Sequence, residues 1–271
     1  MKLGQVLEMV ARTDPGLVRS HNEDAVFADP ELGVAILADG MGGYSAGEVA
    51  SGMATMLLSS SFARLVPTLV PEALNDGGGP VQLLNDEICS ANAAIFNASQ
   101  SETSYAGMGT TLAMAWFLDN RVYVAHVGDS RVYRLRGDRL EQLTRDHSLL
   151  QEQLDNGMIS EEEARYSATR NLVTRALGVE PEVEVEIHVH DALAGDLLLL
   201  CSDGLNDMLD DDEIATTLRV MGGHLAQAAD RLVEQANLLG GRDNVSVVLA
   251  RVDGEFSVAG GWWERLLGKL K

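Results

Sequence analysis

The chain has 271 residues, of which 46% are hydrophobic and 23% charged, so it is long enough and apolar enough to bury a sizeable core. Its formal net charge of −21 argues against a nucleic-acid-binding protein, which needs a basic surface, and suggests that part of the acidic charge is relieved by bound cations. The two cysteines, Cys89 and Cys201, offer no disulfide framework and no zinc spacing, and we expect a cytoplasmic protein with no targeting segment and no stretch that spans a bilayer.

The first part of the chain is predicted to form short strands followed by two helices. Residues 6–12 mix apolar and polar side chains as a half-buried strand does, and a second short strand ends near Phe27. Asp29-Pro30-Glu31 then turns the chain into a buried strand over residues 33–38, so these two strands are expected to pair as a hairpin. Apolar residues at helical spacing predict two helices, over residues 46–65 and 81–98.

The middle of the chain is rich in β-forming residues separated by Asp-Asn and Gly-Asp turns. Strands are predicted over residues 112–117, 122–127 and 132–135, and their short connections predict an antiparallel meander. A charged helical segment over residues 147–164 follows, with a break at Asn156-Gly157, and an irregular polar stretch continues to residue 174.

The last third alternates strands and helices. We predict strands over residues 183–189, 196–201 and 245–252, with helices over residues 211–220 and 224–239 between the last two of them. Together the elements indicate one domain of mixed α and β layers over residues 1–253, followed by a separate tail over residues 254–271.

Several predicted strands begin or end beside a carboxylate that is flanked by glycine or asparagine. Asp39, Asp203 and Asp243 follow this pattern, and Glu23-Asp24 and Gly128-Asp129 add two more acidic sites at strand ends. A single Asp-Gly pair is usually only a turn. The repeated pattern predicts an all-oxygen site for Mg²⁺ or Mn²⁺, in which two ions about 3.5–4 Å apart activate a water for phosphoryl chemistry.

Two further groups fit such a site. The carbonyl of Gly40 is available as a ligand because a glycine lets the backbone approach closely. Arg19 offers a fork of donors that matches phosphate oxygens, although a surface ion pair with a nearby carboxylate would explain it as well.

At this point the chain resembles a known family, the metal-dependent protein serine/threonine phosphatases of type 2C, in their compact bacterial form. The resemblance extends from about residue 6 to residue 252, and its motifs occur in the family's order. They are Arg19–Asp24, Ala38–Gly43, Gly47-Glu48, Gly107–Thr111, Gly128-Asp129-Ser130-Arg131, Arg170-Asn171, Thr174–Gly178, Ser202-Asp203-Gly204 and Asp243-Asn244.

The resemblance implies an α+β fold, a four-layer αββα sandwich of two antiparallel sheets with helices on both outer faces. It also implies the roles of individual residues. Asp39 would bridge two metal ions, with Asp203 and Asp243 completing the first site, and the Gly40 carbonyl and, through water, Glu23 serving the second. Asp24 would hold a metal-bound water, Arg19 would bind the substrate phosphate, and Asp129 would help Asp203 to hold a third, weaker ion, with Asp146 as the alternative.

The implied reaction is direct in-line attack by a metal-activated water on phosphoserine or phosphothreonine, without a phosphoenzyme. Animal relatives carry a histidine after the Asp-Gly pair, whereas this chain carries Met41, so a water on the third ion is our preferred proton donor and His21 is an alternative. His126 is expected to be a packed core histidine, His147 a capping or loop residue, and His188 and His190 surface residues.

Two further segments bear on the choice of partners, the flap directly and the tail under one of its interpretations. The region over residues 147–174 corresponds to the family's flap, and Arg165-Tyr166-Ser167-Ala168 replaces a His-Pro pair common in bacterial relatives. In the tail, Trp262, Trp263 and Leu266 would share an apolar helical face beside basic residues, which suits a membrane surface, a partner protein or the chain's own domain.

We therefore predict a monomeric Mn²⁺/Mg²⁺-dependent phosphatase whose partners are phosphorylated proteins, in particular a bacterial Ser/Thr kinase and its substrates. The alternative from another class is a non-catalytic module that binds phosphoproteins on the same fold, and a third is an enzyme dedicated to a single anti-sigma-type regulator.

Overall fold

The computed structural model describes residues 3–43, 46–69, 78–160 and 172–257, together with residue 163. Two antiparallel β-sheets pack face to face in it, and helices cover both outer faces. The expected four-layer αββα sandwich is thereby confirmed.

The strands and helices follow the predicted order closely. The strands are β1 (Leu7–Asp14), β2 (Asp24–Asp29), β3 (Val34–Met41), β4 (Gly109–Thr110), β5 (Leu112–Leu118), β6 (Arg121–Val127), β7 (Arg131–Arg136), β8 (Arg139–Gln142), β9 (Glu186–Asp191), β10 (Leu197–Cys201) and β11 (Val245–Val252). The α-helices are α1 (Ala46–Leu65), α2 (Gly78–Ser101), α3 (Leu149–Asp155), α4 (Asp203–Asn206), α5 (Asp211–Met221) and α6 (Leu225–Leu238).

The first sheet has the strand order β1-β11-β10-β7-β8, and the second has the order β2-β3-β5-β6-β9 with β4 paired to β3. The predicted hairpin of β2 and β3 is confirmed, and its register places Asp24 opposite Asp39. The predicted three-stranded meander is wrong for its third strand. Although β5 and β6 pair, Gly128 adopts a φ of +104°, which an L side chain rarely adopts, and the chain crosses there to the first sheet, where β7 pairs with β10.

The core between the sheets combines small and large apolar side chains. Ala35, Ala113 and Ala115 of the second sheet face Leu198, Leu200, Val248 and Ala250 of the first sheet, and all seven are buried. This alternation of sizes lets the two pleated faces interdigitate at the density of a protein interior.

Helices α1 and α2 cover the outer face of the second sheet. Phe62 of α1 meets Trp116 of β5 edge to face, with 5.1 Å between the ring centroids. The segment Ala46–Thr68 is long and apolar enough to cross a membrane, contrary to the sequence expectation. However, Ala50, Ala54 and Leu58 are buried against the sheet and α2, which is how a core helix of a globular protein packs.

Helices α5 and α6 cover the outer face of the first sheet. Asp210 caps α5 through a reciprocal pair of hydrogen bonds with Glu213, which explains why this helix begins where the sequence predicts. Three short elements, β4, β8 and α4, were not predicted, and β9 begins at Glu186 rather than at residue 183.

The predicted flap is described only in part. Its first helix is limited to Leu149–Asp155, and Ser160 and Glu163 exchange hydrogen bonds as a helix start does. The predictions for Arg165-Tyr166-Ser167-Ala168 and Arg170-Asn171, and those for the tail from residue 258 onward, lie outside the described residues.

Candidate metal centre

The carboxylates singled out in the sequence meet in one pocket at the shared end of the two sheets. Its cavity measures about 220 Å³. It is lined by Arg19, Glu23, Asp39, Gly40, Met41, Gly42, Thr111, Asp129, Val173, Asp203, Asp243 and Asn244. The structure therefore brings together all the predicted site residues except Asp24, which lies directly behind the pocket as the β-pair partner of Asp39.

Asp39 is fixed at the end of β3 by two neighbouring threonines. Its backbone N–H donates to Thr111 Oγ1 over 3.0 Å, and its carbonyl accepts from the Thr111 N–H over 2.8 Å and from Thr110 Oγ1 over 2.9 Å. The hydroxyl of Thr111 also lies 2.7 Å from that of Ser130, beside Asp129. These contacts leave the Asp39 carboxylate to line the pocket.

Two glycines allow β2, β3 and α1 to approach one another at the pocket. A Cβ atom on Gly40 would lie 2.1 Å from the Gly47 carbonyl oxygen, and a Cβ atom on Gly47 would lie 2.7 Å from Glu23 Oε1. Any larger residue would force these segments apart. The Gly40 N–H donates to the Glu23 carbonyl over 3.0 Å, which fixes the spacing.

The first sheet contributes the other carboxylates. Asp203 is the first residue of α4, immediately after β10 and Ser202, and Asp243 precedes β11. The Ser202 hydroxyl donates to Asp24 Oδ2 over 2.9 Å, which links this loop to β2 of the second sheet. The site thus depends on loops from both sheets.

Asn244 connects the loop that carries Arg19 and Glu23 to the start of β11. Its Nδ2 donates to the carbonyls of Pro15, over 3.0 Å, and His21, over 2.9 Å, while its Oδ1 accepts from the Glu23 N–H over 2.8 Å. Asn244 itself is only 5% exposed. The asparagine belongs to the Asp243-Asn244 motif, but its role could not be predicted from the sequence because its partners lie more than 220 positions away.

Arg19 stands at the rim of the pocket. Its Nη2 donates to Asp243 Oδ2 over 2.6 Å, and its side chain is 53% exposed. The hydrogen bond and the charge of Asp243 raise the pKa of Arg19, so its positive charge is secure. The surface ion pair and the phosphate-binding role are compatible, because a guanidinium has five N–H donors.

The carboxylates of the pocket disfavour one another's ionisation. Burial raises the pKa of Asp39 and of Asp203 well above the usual range, and repulsion from the neighbouring aspartates adds to the effect. Burial likewise raises the pKa of Asp24 to about 6 and that of Asp129 to about 6. A set of crowded carboxylates with raised pKa values is stabilised in its charged form by a cation.

Two buried oxygens support the same conclusion. Glu23 Oε1 and Asp24 Oδ1 are inaccessible to solvent and have no hydrogen-bond partner among the described residues. Leaving a buried carboxylate oxygen unpaired is unfavourable unless something else binds it. Carboxylates and one glycine carbonyl form a donor set made of oxygen alone, which fits Mg²⁺ or Mn²⁺ and does not resemble a zinc site.

The two candidates for the third ion differ in their surroundings. Asp129 lines the pocket, whereas Asp146 accepts three hydrogen bonds from the Arg131 guanidinium and one from Gln142. Because the Asp146 carboxylate is already engaged, the geometry favours Asp129.

Neither His21 nor His126 lies where a proton donor to the leaving group would have to be, which is inside the pocket. His21 is exposed and does not line the pocket. His126 is buried, as predicted, and its Nε2 lies 2.8 Å from the Arg145 carbonyl. Met41 does line the pocket, and a thioether has no proton to donate.

His147 lies in a loop, as predicted, immediately before Ser148, the N-cap of α3, and its side chain is also held by specific partners. Its Nδ1 accepts from the Gly128 N–H over 3.1 Å, its Nε2 lies 3.2 Å from Glu186 Oε2, and it is 9% exposed. It thereby supports the turn that precedes Asp129. His126, His147 and Glu186 lie within 4.8 Å of one another, but the two rings stack at an interplanar angle of 20°, so their in-plane lone pairs do not converge on one ion.

Comparison with known proteins gives a consistent result. The family model "Protein phosphatase 2C" matches residues 18–238. The chain is 42% identical over 245 residues to the serine/threonine phosphatase stp of Listeria monocytogenes, covering 89% of this chain and 94% of the relative. It is also 42% identical over 247 residues to the serine/threonine protein phosphatase PstP of Mycobacterium tuberculosis, of which it spans 45%.

Solved structures agree with the sequence matches. The crystal structure of the Mycobacterium tuberculosis phosphatase PstP superposes with a TM-score of 0.83 at 41% identity and covers 92% of this chain and 99% of the other. The PstP catalytic domain in complex with two manganese ions superposes with a TM-score of 0.79, also at 41% identity, covering 91% of this chain and 98% of the other.

Proposed function

The chain belongs to the protein phosphatase 2C family, and from that premise we propose that it dephosphorylates a bacterial Ser/Thr kinase and that kinase's substrates in the cytoplasm. It is a metal-dependent protein serine/threonine phosphatase that uses two Mn²⁺ or Mg²⁺ ions. The kinase partner, the monomeric state and the cytoplasmic location are parts of the proposal, as is the role of each site residue.

The observation that supports this function most directly is the convergence of carboxylates from both sheets on one pocket. Asp39, Asp203 and Asp243 line it together, and Glu23 brings a buried carboxylate oxygen without a partner among the described residues. Under the proposal, these four residues and the Gly40 carbonyl would hold two ions, and Asp129 with Asp203 would hold a third.

The protein's own residues would prepare the substrate and the ligands for reaction. Bound divalent ions would lower the pKa of a water and neutralise charge on the phosphate oxygens. Arg19 would bind two phosphate oxygens through its fork of donors and orient the phosphorus toward the floor of the pocket. Thr111 would fix the backbone of Asp39, and with it the direction of the carboxylate, and Ser202 would orient Asp24 through the hydrogen bond already described.

The alternative of a non-catalytic phosphoprotein-binding module gains nothing from the structure. Such a module has no need for a complete set of metal-binding carboxylates, yet all those predicted are present and grouped. The choice between a broad set of phosphoproteins and one dedicated regulator concerns specificity and would be decided by profiling substrates.

The test is hydrolysis of p-nitrophenyl phosphate and of a phosphothreonine peptide with Mn²⁺, Mg²⁺ or EDTA. We expect activity with Mn²⁺ or Mg²⁺ and none with EDTA. Asp39→Asn should abolish turnover of both substrates with an unchanged circular dichroism spectrum, because it removes a shared ligand and keeps the side-chain shape. Asp212→Asn, on the exposed first turn of α5, is the matched control and should keep full activity. Turnover by Asp39→Asn at the wild-type rate would overturn the site assignment.

A further inference from the structure

A second cavity opens directly beside the metal pocket. It measures about 470 Å³, more than twice the volume of the metal pocket itself. We call it the flanking groove. Met41 and Val173 line both cavities, so the groove adjoins the place where the phosphorylated residue would be bound. The rest of the groove is lined by Gly107, Thr174, Arg175, Ala176, Val179, Glu180, Glu182, Val183 and Glu184.

The floor of the groove is apolar and depends on a glycine. A Cβ atom on Gly109 would lie 2.7 Å from Val179 Cγ2 and 3.1 Å from Met41 Cε, so the missing side chain lets Met41 and Val179 pack over β4. Val179 nevertheless remains 47% exposed. An exposed valine beside a methionine provides a small contact area for the aliphatic part of another side chain.

The wall of the groove is acidic. Its lining includes three glutamates and one arginine, Arg175, which pairs with Glu184 over 3.1 Å. Glu180 and Glu182 are exposed and make no ion pair within the described part of the chain. The groove therefore presents unpaired negative charge next to the pocket where a phosphate would be bound.

The wall is also rigid, because a buried asparagine of α2 holds it. Asn92, which is 1% exposed, donates to the carbonyls of Glu180 over 3.1 Å and Pro181 over 3.3 Å, and accepts from the Gly178 N–H over 2.7 Å. A charged wall that is fixed in advance loses little conformational entropy when it binds a partner.

We propose that the flanking groove binds the part of a phosphoprotein substrate adjacent to the phosphorylated residue, and that it selects a basic side chain there. The proposal rests on the proposed function, since the substrate's phosphate fixes which residues reach the groove. An extended chain advances about 3.3 Å per residue, so residues within a few positions of the phosphate can enter it. The aliphatic stem of a lysine or arginine would contact Met41 and Val179, and its charge would face Glu180 and Glu182.

The test compares two phosphothreonine peptides that differ only in flanking residues, basic in one and acidic in the other, with p-nitrophenyl phosphate as a substrate too short to reach the groove. The wild-type protein with Mn²⁺ should prefer the basic peptide by about three- to tenfold in kcat/KM, as expected for two exposed ion pairs. The preference should shrink at 0.5 M salt because exposed charges are screened.

The decisive variant is Glu180→Lys/Glu182→Lys. It should raise the KM for the basic peptide and so remove or invert the peptide preference, while the rate with p-nitrophenyl phosphate stays that of the wild type. Glu31→Lys/Glu255→Lys makes the same charge change at two exposed positions outside the groove and should keep the preference.

An unchanged preference in the groove variant would overturn the proposal. A variant whose kcat/KM changes by the same factor for both peptides would also overturn it, since the groove would then not distinguish basic from acidic flanking residues. Failure of the proposed function has a different signature, because the wild-type protein would then leave p-nitrophenyl phosphate intact with every metal.

Discussion

Replacing Asn244 should test how the loop that carries Arg19 and Glu23 is held. In Asn244→Ala the carbonyls of Pro15 and His21 lose a donor and the Glu23 N–H loses an acceptor. Asn244→Asp changes only the donor half of the side chain. It retains an acceptor for the Glu23 N–H but places a second oxygen, which repels, against the carbonyls of Pro15 and His21. Both variants keep every predicted metal ligand.

The expected loss of stability follows from the three hydrogen bonds. Each is worth about 1 kcal/mol net, and a buried partner left unpaired would lose more. Because Pro15 and His21 are exposed, water can replace part of what they lose, and we expect a total of about 2 kcal/mol for Asn244→Ala. In a domain of this size that corresponds to a fall in Tm of about 4 °C. Freeing the loop should also raise the KM for p-nitrophenyl phosphate by about tenfold, equivalent to about 1.4 kcal/mol of lost binding.

The assay combines thermal unfolding in EDTA with steady-state kinetics in Mn²⁺. Asn92→Ala is the matched control, since Asn92 also makes three hydrogen bonds from a buried position. It should lose comparable stability and keep the wild-type KM for p-nitrophenyl phosphate. A KM in Asn244→Ala equal to that of Asn92→Ala would refute the argument that Asn244 positions the loop.

Three further changes have separate expected outcomes. Arg19→Ala should mainly raise KM, because the phosphate is bound in both ground and transition states, and a fall in kcat alone would contradict that role. His147→Ala should lower kcat with p-nitrophenyl phosphate, because the turn at Gly128 loses its support, whereas Glu186→Gln keeps a hydrogen-bonding side chain and should remain close to the wild type; equal kinetics in the two variants would contradict the argument. Burial lowers the pKa of His126 to about 4, so this histidine binds fewer protons in the folded protein than in the unfolded chain between about pH 4 and 6.5, and its contribution to the free energy of unfolding should fall with decreasing pH in that window by up to about 1.4 kcal/mol per unit. The raised pKa values of the pocket aspartates act in the opposite direction, so the His126 contribution is obtained by difference: from pH 7 to pH 5 in EDTA, urea titrations should show His126→Gln gaining stability relative to the wild type.

Local signals predicted most of the fold. Helix α1 begins and ends where its apolar spacing indicated, and β11 matches its predicted range, because a helix period and a buried apolar run depend only on nearby residues. The third strand of the meander was misplaced for the opposite reason. Nothing local to Arg131–Arg136 shows that it pairs with β10, some sixty positions later, rather than with β6.

For the site, the carboxylates could be predicted from the sequence but the residues that position them could not. Each aspartate was identified from its own strand end, and the family resemblance indicated that they belong together. The groups that hold them were not identified, because their function exists only after folding. Ser202 reaches Asp24 across 178 positions, and Thr111 reaches Asp39 across 72.

The placement of the carboxylates gives the layer between the sheets a role beyond stability. Asp39 belongs to the second sheet, whereas Asp203 begins α4 directly after β10 of the first sheet and Asp243 precedes β11 of the same sheet, so their mutual distances depend on how the sheets are spaced. That spacing is set by side chains such as Ala35, Ala115 and Ala250, which lie in the core between the sheets and do not line the metal pocket. The core therefore acts as a spacer that sets the distances between the carboxylates of the proposed metal centre. Replacing one of these alanines by a larger residue should change the affinity for the ions without touching the pocket.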